Sequence, residues 1–398
     1  MRIGMMVDAY KPYISGVTHF VDLNKRAIEK MGHEVFVFTF GDSESITDET
    51  RVVHSAGIPL QEKGWYLSLR YTREARKLLQ SMDVIHVHHP FMSGRLALRY
   101  ARPYQIPIIY TNHTRYDLYA QAYLPMMPEE ISDGLLKVYM PSFCDAVDLV
   151  IAPSAGMEKV LRELGVQAEI AVVPNGVDLE RFHKAKSLNR ADFGFRPEDV
   201  VLIYVGRLGP EKNLPLLLRA FNGVAKAFDN VRLLILGDGP IRDEVSALAS
   251  ELGLSAGVRF EGMVPYDKLP GYLAMCDAFV TASVTEVHPL SVIEAMGAGL
   301  PILGIHSPGV GDTIEDGVTG FLTDEDPIAF AVKMTRLVTE SDLRRKMGAA
   351  AYDASQEFAI ERTSQLMLGH YQRMADSDRP ERSDLANRTR DFLEQFNL

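Results

Sequence analysis

The sequence has little that would tie the chain to a bilayer or to an oxidising compartment. No apolar run approaches the roughly 18 residues that a membrane-spanning helix needs, and the opening stretch "MRIGMMVDAY" breaks at Asp8 where a signal peptide would continue. The two cysteines, Cys144 and Cys276, form no CxxC pair and are typical of buried thiols in a reducing compartment. We therefore expect a cytoplasmic protein, soluble or peripheral to a membrane.

An excess of positive charge is also missing. The net charge is −11, which argues against a nucleic-acid partner. Residues 1–110 nevertheless carry 14 Lys and Arg against 11 Asp and Glu, a balance of +3. This mildly basic third has two interpretations that stay open here: scattered solvated charge, or a surface for an anionic partner.

Cofactor and metal signatures are weak. No GxGxxG follows the first apolar run, and "GDGPIR" at 237–242 holds only two glycines, so a dinucleotide fingerprint is missing. The run "HVHHP" at 86–90 has no nearby Cys or HExxH partner. We therefore favour structural or acceptor-lining roles for these histidines, and we predict no metal and no bound cofactor.

Short apolar runs alternate with segments of helical period along a chain of 398 residues, which is too long for one ordinary core. The alternation predicts βαβ units with parallel sheets. It pauses after "VVPNGVDLERF" and restarts at "VVLIYVGRL". We predict an α/β protein with two doubly wound, Rossmann-like domains, and a ligand at the carboxyl ends of their strands, in a cleft where the domains face each other. The predicted segments are domain 1–178, linker 179–198, domain 199–354, a helix over about 355–374 and a polar tail 375–398.

The stretch "TEVHPLSVIEAMGAG" predicts a helix after a strand and a loop. Pro289 fits the first helical position, and the free N–H groups around 288–291 would suit a phosphate. Glu286 precedes this helix and Glu294 lies inside it, where each carboxylate could accept hydrogen bonds from sugar hydroxyls. The alternative is that Glu286 is an ordinary helix-start acid and that Glu294 is solvated.

Four further segments are candidates. In "YVGRLGPEKN", Arg207 and Lys212 could both reach one diphosphate, although a surface Lys–Glu pair is the alternative. Gly16 lies at a helix start and would let backbone approach a ligand. His113 follows the strand "IPIIYT" and is either a donor to a sugar or leaving oxygen or a structural histidine. The Tyr- and Met-rich stretch 116–143 is either a packed loop and helix or a lipid contact.

Together these motifs resemble the retaining glycosyltransferases of family 4, which have the GT-B fold. The resemblance covers nearly the whole chain and rests on "GRLGPEKN", "GDGP", "EGMV", "EVHPLSVIE", "AMGAGLPILG" and "GVTGFL", in this order. It implies a hexosyltransferase acting on a nucleotide-diphosphate sugar. By resemblance, Arg207 and Lys212 bind the diphosphate, Glu294 binds the ribose, and Glu286 contacts the donor sugar near the reacting centre.

The resemblance assigns further contacts. It places backbone amides around His288, Pro289, Leu290 and Ser291 on the sugar and phosphates, Gly16 in a loop over them, His113 near the donor sugar, and Met263 and Val264 along the base. The chain departs from the family pattern in two places, with "SGV" instead of paired glycines at Gly16 and His288-Pro289 where Phe-Gly is common. Both departures concern the choice of donor sugar.

The family resemblance implies transfer with retention of configuration, by internal return or by a covalent path. Within the family, the chain is similar to bacterial diacylglycerol glucosyltransferases, which implies UDP-glucose as donor, a membrane lipid as acceptor and a peripheral membrane contact. A soluble sugar or other small acceptor, and a sugar-nucleotide epimerase, remain alternatives. The missing glycine fingerprint disfavours an oxidoreductase. A binding protein without catalysis is disfavoured because all four charged candidates are present, namely Arg207, Lys212, Glu286 and Glu294.

Overall fold

The computed structural model describes residues 1–13, 15–41, 49–59, 66–118, 129–377 and 382–396. The chain divides into two compact units. Unit 1 comprises Met1–Gly176 together with Ile360–Leu398, and unit 2 comprises Val177–Ala359. Within the described ranges, no helix combines the length and apolar character needed to cross a membrane.

Unit 1 is built on a parallel sheet. Its strands are β1 Arg2–Met6, β2 Glu34–Gly41, β3 Val52–Ala56, β6 Val84–Val87, β7 Ile108–Thr111, β8 Leu149–Ala152 and β9 Ile170–Val172. They are ordered β3-β2-β1-β6-β7-β8-β9, and each neighbouring pair is parallel. A short antiparallel pair, β4 Ile58–Pro59 and β5 Tyr66–Leu67, lies outside this sheet. The strands predicted from apolar runs are confirmed, whereas β3 and β9 are only partly buried and do not stand out in the sequence.

Helices connect the strands of unit 1 as the alternation predicts. They are α1 Gly16–Lys30, α2 Arg73–Leu79, α3 Met92–Ala101, α4 Glu129–Ala146 and α5 Ala155–Glu163. Helix α1 begins with a capping box, in which the hydroxyl of Ser15 accepts the N–H of Thr18 and the hydroxyl of Thr18 accepts the N–H of Ser15. These bonds satisfy donors that would otherwise be orphaned at a helix start. The helix ends before Gly32, whose φ of +86° suits a chain reversal without a side chain.

Unit 2 contains a second parallel sheet. Its strands are β10 Val200–Val205, β11 Val231–Leu236, β12 Val258–Gly262, β13 Ala278–Val280, β14 Ile302–Ile305 and β15 Gly320–Thr323, ordered β12-β11-β10-β13-β14-β15. Its helices are α6 Leu179–His183, α7 Leu214–Ala227, α8 Arg242–Glu251, α9 Leu269–Ala274, α10 Leu290–Gly297, α11 Pro308–Thr313, α12 Pro327–Thr339 and α13 Ser341–Ser355.

Both faces of the unit 2 sheet are buried. Along β10, Leu202 and Tyr204 belong to one apolar cluster, whereas Val201 and Ile203 belong to the cluster on the other face. Alternate residues of a strand point to opposite faces, so helices must cover both. This is the doubly wound arrangement expected from near-continuous apolar runs. The strand order changes direction between β10 and β13, which places a topological switch point there.

The segment 179–198, interpreted from the sequence as a linker, is packed into unit 2. Leu179 and Phe182 are buried in its core. Arg190 forms an ion pair with Asp277 at 2.8 Å and donates to the carbonyl of Met275. Sequence periodicity could not reveal this because the partners lie more than 80 residues further along the chain.

The last part of the chain returns to unit 1. Helix α14, Ile360–Asp376, places Tyr371 and Met374 in the same apolar cluster as Ile3 of β1. Helix α15, Arg382–Gln395, lies in the segment predicted as a polar tail. Its Phe392 is only 2% exposed and lies 5.4 Å from the ring of Tyr139 on α4. One buried aromatic residue therefore anchors a helix whose composition is mainly polar.

Candidate active site

Two turns at the carboxyl ends of β10 and β11 interlock in unit 2. The N–H of Leu208 donates to the carbonyl of Asp238 at 2.9 Å, and a Cβ added to Gly237 would lie 1.9 Å from the carbonyl oxygen of Gly206. Gly237 also has a φ of +134°, a conformation that side chains rarely adopt. The glycines of the motifs "GRLG" and "GDG" thus permit close backbone contacts, and these contacts fix the turn that carries Arg207.

Arg207 and Lys212 lie on this turn as the sequence analysis expected. Arg207 is exposed and Lys212 is half-buried. Lys212 ends a short 3-10 turn, Pro210–Lys212, and the next residue, Asn213, has a φ of +51°. This left-handed residue separates the turn from helix α7 and fixes where the lysine leaves the backbone.

Lys212 is bound to Glu286, a contact that the sequence analysis did not predict. Its Nζ lies 2.6 Å from Glu286 Oε1, and both side chains are largely buried. Burial alone would raise the pKa of the Glu286 carboxyl, but Lys212 outweighs this effect and holds that pKa below its usual value. Glu286 is consequently a carboxylate at neutral pH. Its partner Lys212 lies on the turn after β10, across the switch point, so Glu286 has a tertiary contact as well as its position before the helix.

The backbone under Glu286 is held by helix α11. The N–H of Gly309 donates to the Glu286 carbonyl at 3.1 Å, and a Cβ at Gly309 would lie 2.5 Å from that oxygen. Only a residue without a side chain permits this approach. The sequence analysis missed Gly309, although "HSPGVGD" has the small residues that such a contact requires.

The N-terminus of helix α10 follows Glu286. Pro289 is the N-cap residue with extended backbone, and the helix begins at Leu290, one position later than predicted. Among the described residues, no side chain caps this end, which leaves the first N–H groups, including that of Ser291, for another acceptor. His288 is buried against the ring of Phe358 at 5.0 Å, and burial lowers the pKa of His288 to about 3, so its side chain is neutral.

Glu294 is buried within helix α10 and is not solvated. It is 4% exposed, and its Oε1 accepts a hydrogen bond from the hydroxyl of Tyr266 at 2.9 Å. Burial raises the pKa of Glu294 to about 7, against the opposing influence of Tyr266 and Arg181. The guanidinium of Arg181 lies 5.0 Å from the centre of the Tyr266 ring. The sequence analysis missed Tyr266 and Arg181, which lie in "VPYDK" and "DLERF" beside two recognised motifs.

Met263 and Val264 follow strand β12. Met263 is 64% exposed, whereas Val264 packs against a core cluster. Gly262 has a φ of +77°, and its carbonyl accepts the N–H of Gly237. The "EGMV" turn is therefore tied to the "GDG" turn, and an exposed methionine lies on its surface. These contacts do not test whether Met263 and Val264 line the nucleotide base, so that role stays a prediction.

In unit 1, the predicted residues lie after β1 and β7. Gly16 is exposed at the first position of α1, and a Cβ there would touch no described residue within 4 Å. His113 Nε2 lies 3.0 Å from His88 Nδ1, and the ring of His113 packs edge-on against Phe20. Burial holds the pKa of both histidines well below the usual value, so both rings are neutral.

The histidines of "HVHHP" have structural partners. His86 lies within hydrogen-bond distance of the hydroxyls of Tyr371 and Thr111, at 2.5 and 2.7 Å. His89 Nδ1 accepts the N–H of Asp8. Across the described ranges, no group of three His, Cys, Asp or Glu side chains is arranged to hold a metal ion. Cys144 and Cys276 are both buried and unpaired with each other, as expected for free thiols.

The stretch 116–143 is only partly covered, because 119–128 lie outside the described residues. Its second half belongs to α4, where Leu136, Tyr139, Met140 and Phe143 are buried. That half is a packed core helix, and a lipid contact by the preceding residues stays a prediction.

Comparison with known proteins identifies the family. The model of glycosyl transferases group 1 matches residues 185–354, and the model of glycosyltransferase family 4 matches residues 14–181. An alpha-monoglucosyldiacylglycerol synthase of Acholeplasma laidlawii is 30% identical over 346 residues, which cover 82% of this chain and 85% of that protein. The chain belongs to the family 4, group 1 glycosyltransferases.

Other relatives agree with this assignment. An alpha-monoglucosyldiacylglycerol synthase of Streptococcus pneumoniae is 29% identical, over 90% of this chain and 83% of that protein. The sucrose-phosphate synthase structure from Thermosynechococcus elongatus superposes with a TM-score of 0.76 at 20% identity, over 94% of this chain and 98% of the other. HepE of Anabaena, solved with UDP and glucose, gives 0.71 at 20% identity, over 94% and 99%. The fold is GT-B, and the enzyme is a glycosyltransferase that transfers a hexose.

Proposed function

We propose that this glycosyltransferase transfers glucose from UDP-glucose to a lipid acceptor of the diacylglycerol type, with retention of anomeric configuration. The names of the two monoglucosyldiacylglycerol synthases support the sugar and the acceptor. The UDP complexes among the structural neighbours support the nucleotide. The observation that carries the proposal is the Lys212–Glu286 pair beside the uncapped start of α10.

The positive groups of unit 2 suit a departing diphosphate. Negative charge grows on the nucleotide as the glycosidic bond breaks, and fixed donors aimed at this charge are usually the largest catalytic contribution. Arg207, Lys212 and the N–H groups at Leu290 and Ser291 are such donors. Since they supply the compensating charge themselves, we propose that turnover needs no metal ion.

Glu286 is suited to the sugar. As a carboxylate it accepts hydrogen bonds from hydroxyls and stabilises positive charge on the anomeric carbon. When the diphosphate binds, we propose that the ammonium group of Lys212 donates to both Glu286 and the phosphate. This shared contact would hold the sugar and the leaving diphosphate in a fixed relative position. Retention then follows either by internal return, with the leaving phosphate taking the acceptor proton, or by a covalent path through Glu286.

Glu294 is proposed to bind the ribose hydroxyls, with Tyr266 orienting its carboxylate from the other side. Met263 and Val264 are proposed to line the base, and Gly16 and His113 to contribute from unit 1. We infer a cytoplasmic enzyme that meets its acceptor at the surface of a membrane.

A surface of unit 1 supports the lipid acceptor. A groove is lined by apolar side chains that include Leu69 and Met92, and by the arginines Arg95 and Arg99. Leu69 is 64% exposed, so this part of the groove is open to solvent. The guanidinium groups of Arg76 and Arg99 both lie within 6 Å of the centre of the Tyr100 ring. Apolar side chains among arginines suit an acceptor that has acyl chains and resides in an anionic membrane.

The deciding experiment incubates the enzyme with UDP-, GDP- and ADP-glucose in separate reactions. Each contains vesicles with diacylglycerol, a panel of soluble sugars, or no acceptor. Mass spectrometry should find glucosyldiacylglycerol only with UDP-glucose and vesicles, NMR should show the α-anomer, and EDTA should not slow turnover. If product forms only with soluble sugars, the proposed lipid acceptor is wrong. If an isomerised sugar nucleotide forms without any acceptor, the enzyme is an epimerase.

A further inference from the structure

His88 is completely buried and the proposed function gives it no role. It lies at the end of β6, and His113 lies at the end of the neighbouring strand β7. The two rings meet through His88 Nδ1 and His113 Nε2 at 3.0 Å. A contact between two neutral imidazoles requires one nitrogen to donate and the other to accept. The proton can therefore occupy only one of two arrangements across this contact.

The other nitrogen of His88 distinguishes the two arrangements. Among the described residues, His88 Nε2 is buried and has no hydrogen-bond partner. The neighbouring His86 ring, 4.1 Å away, has both nitrogens within reach of the Tyr371 and Thr111 hydroxyls instead. A proton on His88 Nε2 would be a buried N–H without an acceptor, which is rarer in native structures than an unsatisfied acceptor.

We propose that His88 is a positioning residue that holds its proton on Nδ1, donates to His113 Nε2, and thereby fixes His113 in the Nδ1–H tautomer. His113 then presents an N–H, not a lone pair, on its remaining nitrogen. The ring is half-buried, and no described residue forms a hydrogen bond with His113 Nδ1. With respect to the described residues, that nitrogen is left to donate to an oxygen of the ligand in the proposed function.

The chemical consequence concerns the role of His113 in the proposed function, on which this part rests. An Nδ1–H imidazole whose other nitrogen is occupied cannot accept a proton from an acceptor hydroxyl. His113 is thereby a hydrogen-bond donor to a sugar hydroxyl or to the leaving oxygen. Deprotonation of the acceptor is left to the departing phosphate or to a carboxylate. The tautomer also favours a ligand with an acceptor oxygen at that position.

The test is NMR of the full-length chain carrying ¹⁵N-histidine. Couplings from the ring protons to the two nitrogens distinguish the tautomers of a neutral imidazole, and the signals are assigned by their loss in His113→Asn and His88→Asn. We expect Nδ1 of His113 and Nδ1 of His88 to be the protonated nitrogens. Protonation of His113 on Nε2 overturns the inference, whatever the activity of the enzyme.

Two variants of His88 test the causal step. His88→Asn keeps an amide donor near the Nδ1 position, whereas His88→Leu removes it. In His88→Leu, His113 should revert to the Nε2–H form that free histidine prefers, and turnover should fall about tenfold, the size of one hydrogen bond. His88→Asn should retain the Nδ1–H signal and most turnover. If His88→Leu leaves the His113 tautomer unchanged, His88 does not set it.

The outcomes separate the two proposals. If His113 has the expected tautomer but His113→Asn transfers glucose normally, the role of His113 in catalysis is wrong and the tautomer assignment stands. If a His88 variant fails to fold, the spectrum of the unsubstituted enzyme still decides which nitrogen carries the proton.

Discussion

Lys212 Nζ lies 2.6 Å from Glu286 Oε1, although the two residues are 74 positions apart in the chain. The contact joins the turn after β10 to the loop after β13 across the switch point of the unit 2 sheet. It links the group proposed to receive the diphosphate to the group proposed to contact the sugar.

Removing either cation should impair catalysis while leaving the protein folded. We expect Lys212→Ala and Arg207→Ala each to lower kcat/KM by about 30- to 1000-fold, which is about 2–4 kcal/mol of transition-state stabilisation. Steady-state kinetics with UDP-glucose and thermal unfolding measure the two quantities. Arg219→Ala, an exposed arginine on α7, is the matched control and should retain activity. If both site variants turn over normally, Arg207 and Lys212 do not bind the diphosphate and the proposed site is wrong.

The ion pair should also show in stability. Lys212→Met leaves a buried carboxylate unpaired and should lower the free energy of unfolding by about 1–3 kcal/mol. The double variant Lys212→Met/Glu286→Gln should recover part of this loss, because neither charge remains. Chemical denaturation of the four proteins of this cycle measures the coupling, and simple additivity would mean that the two side chains do not interact.

The pH dependence of this pair has a defined sign. The folded-state pKa of Glu286 is lowered, so its contribution to stability is present above the unfolded-state pKa and is lost as pH falls through the folded-state value. The stability advantage of the unsubstituted enzyme over Glu286→Gln should therefore shrink in acid. An advantage that grows in acid would contradict the lowered pKa.

Helix α11 offers a matched pair of glycines. A Cβ at Gly309 would lie 2.5 Å from the backbone of Glu286, whereas a Cβ at Gly311 meets no described residue within 4 Å. Gly309→Ala should push the Glu286 backbone away and cost about 1–3 kcal/mol of stability, with a fall in kcat. Gly311→Ala should leave both quantities near those of the unsubstituted enzyme. Equal effects of the two substitutions, measured by kinetics and thermal unfolding, would show that the Gly309 contact does not position Glu286.

The sequence was sufficient for the architecture because apolar periodicity is local. The runs that became β1, β2, β10 and β11 are long and continuous, and buried parallel strands require such runs. Strand β15 did not stand out because only Phe321 and Leu322 of its four residues are large and apolar. The segment 179–198 was interpreted as a linker because its packing partners lie far along the chain, where local periodicity does not reveal them.

The sequence offered candidate site residues but not the contacts between them. Arg207, Lys212, Glu286 and Glu294 were proposed because their types and spacing suit phosphate and sugar chemistry, and their roles stay predictions. Their partners were missed because pairing depends on the fold. Nothing local marks Tyr266 as the donor to Glu294, since the two lie 28 residues apart.

Glu294 should make donor binding depend on pH. Burial raises its pKa to about 7 in the free protein, above the unfolded value. Between these two pKa values the folded chain binds a proton that the unfolded chain does not, so this group's contribution to stability falls as pH rises. Hydrogen bonds from ribose hydroxyls favour the ionised form, so binding of UDP-glucose should release protons and tighten between about pH 6 and pH 8.

Calorimetry in two buffers of different ionisation enthalpy measures that proton release. UDP-glucose is the suitable ligand because its diphosphate carries no group that titrates in this range, unlike free UDP. Glu294→Gln keeps the size and the hydrogen bond to Tyr266 but cannot ionise, so it should bind more weakly and without proton release. The same proton release from Glu294→Gln would mean that another group titrates, and proton uptake by the unsubstituted enzyme would mean that the nucleotide meets the protonated acid.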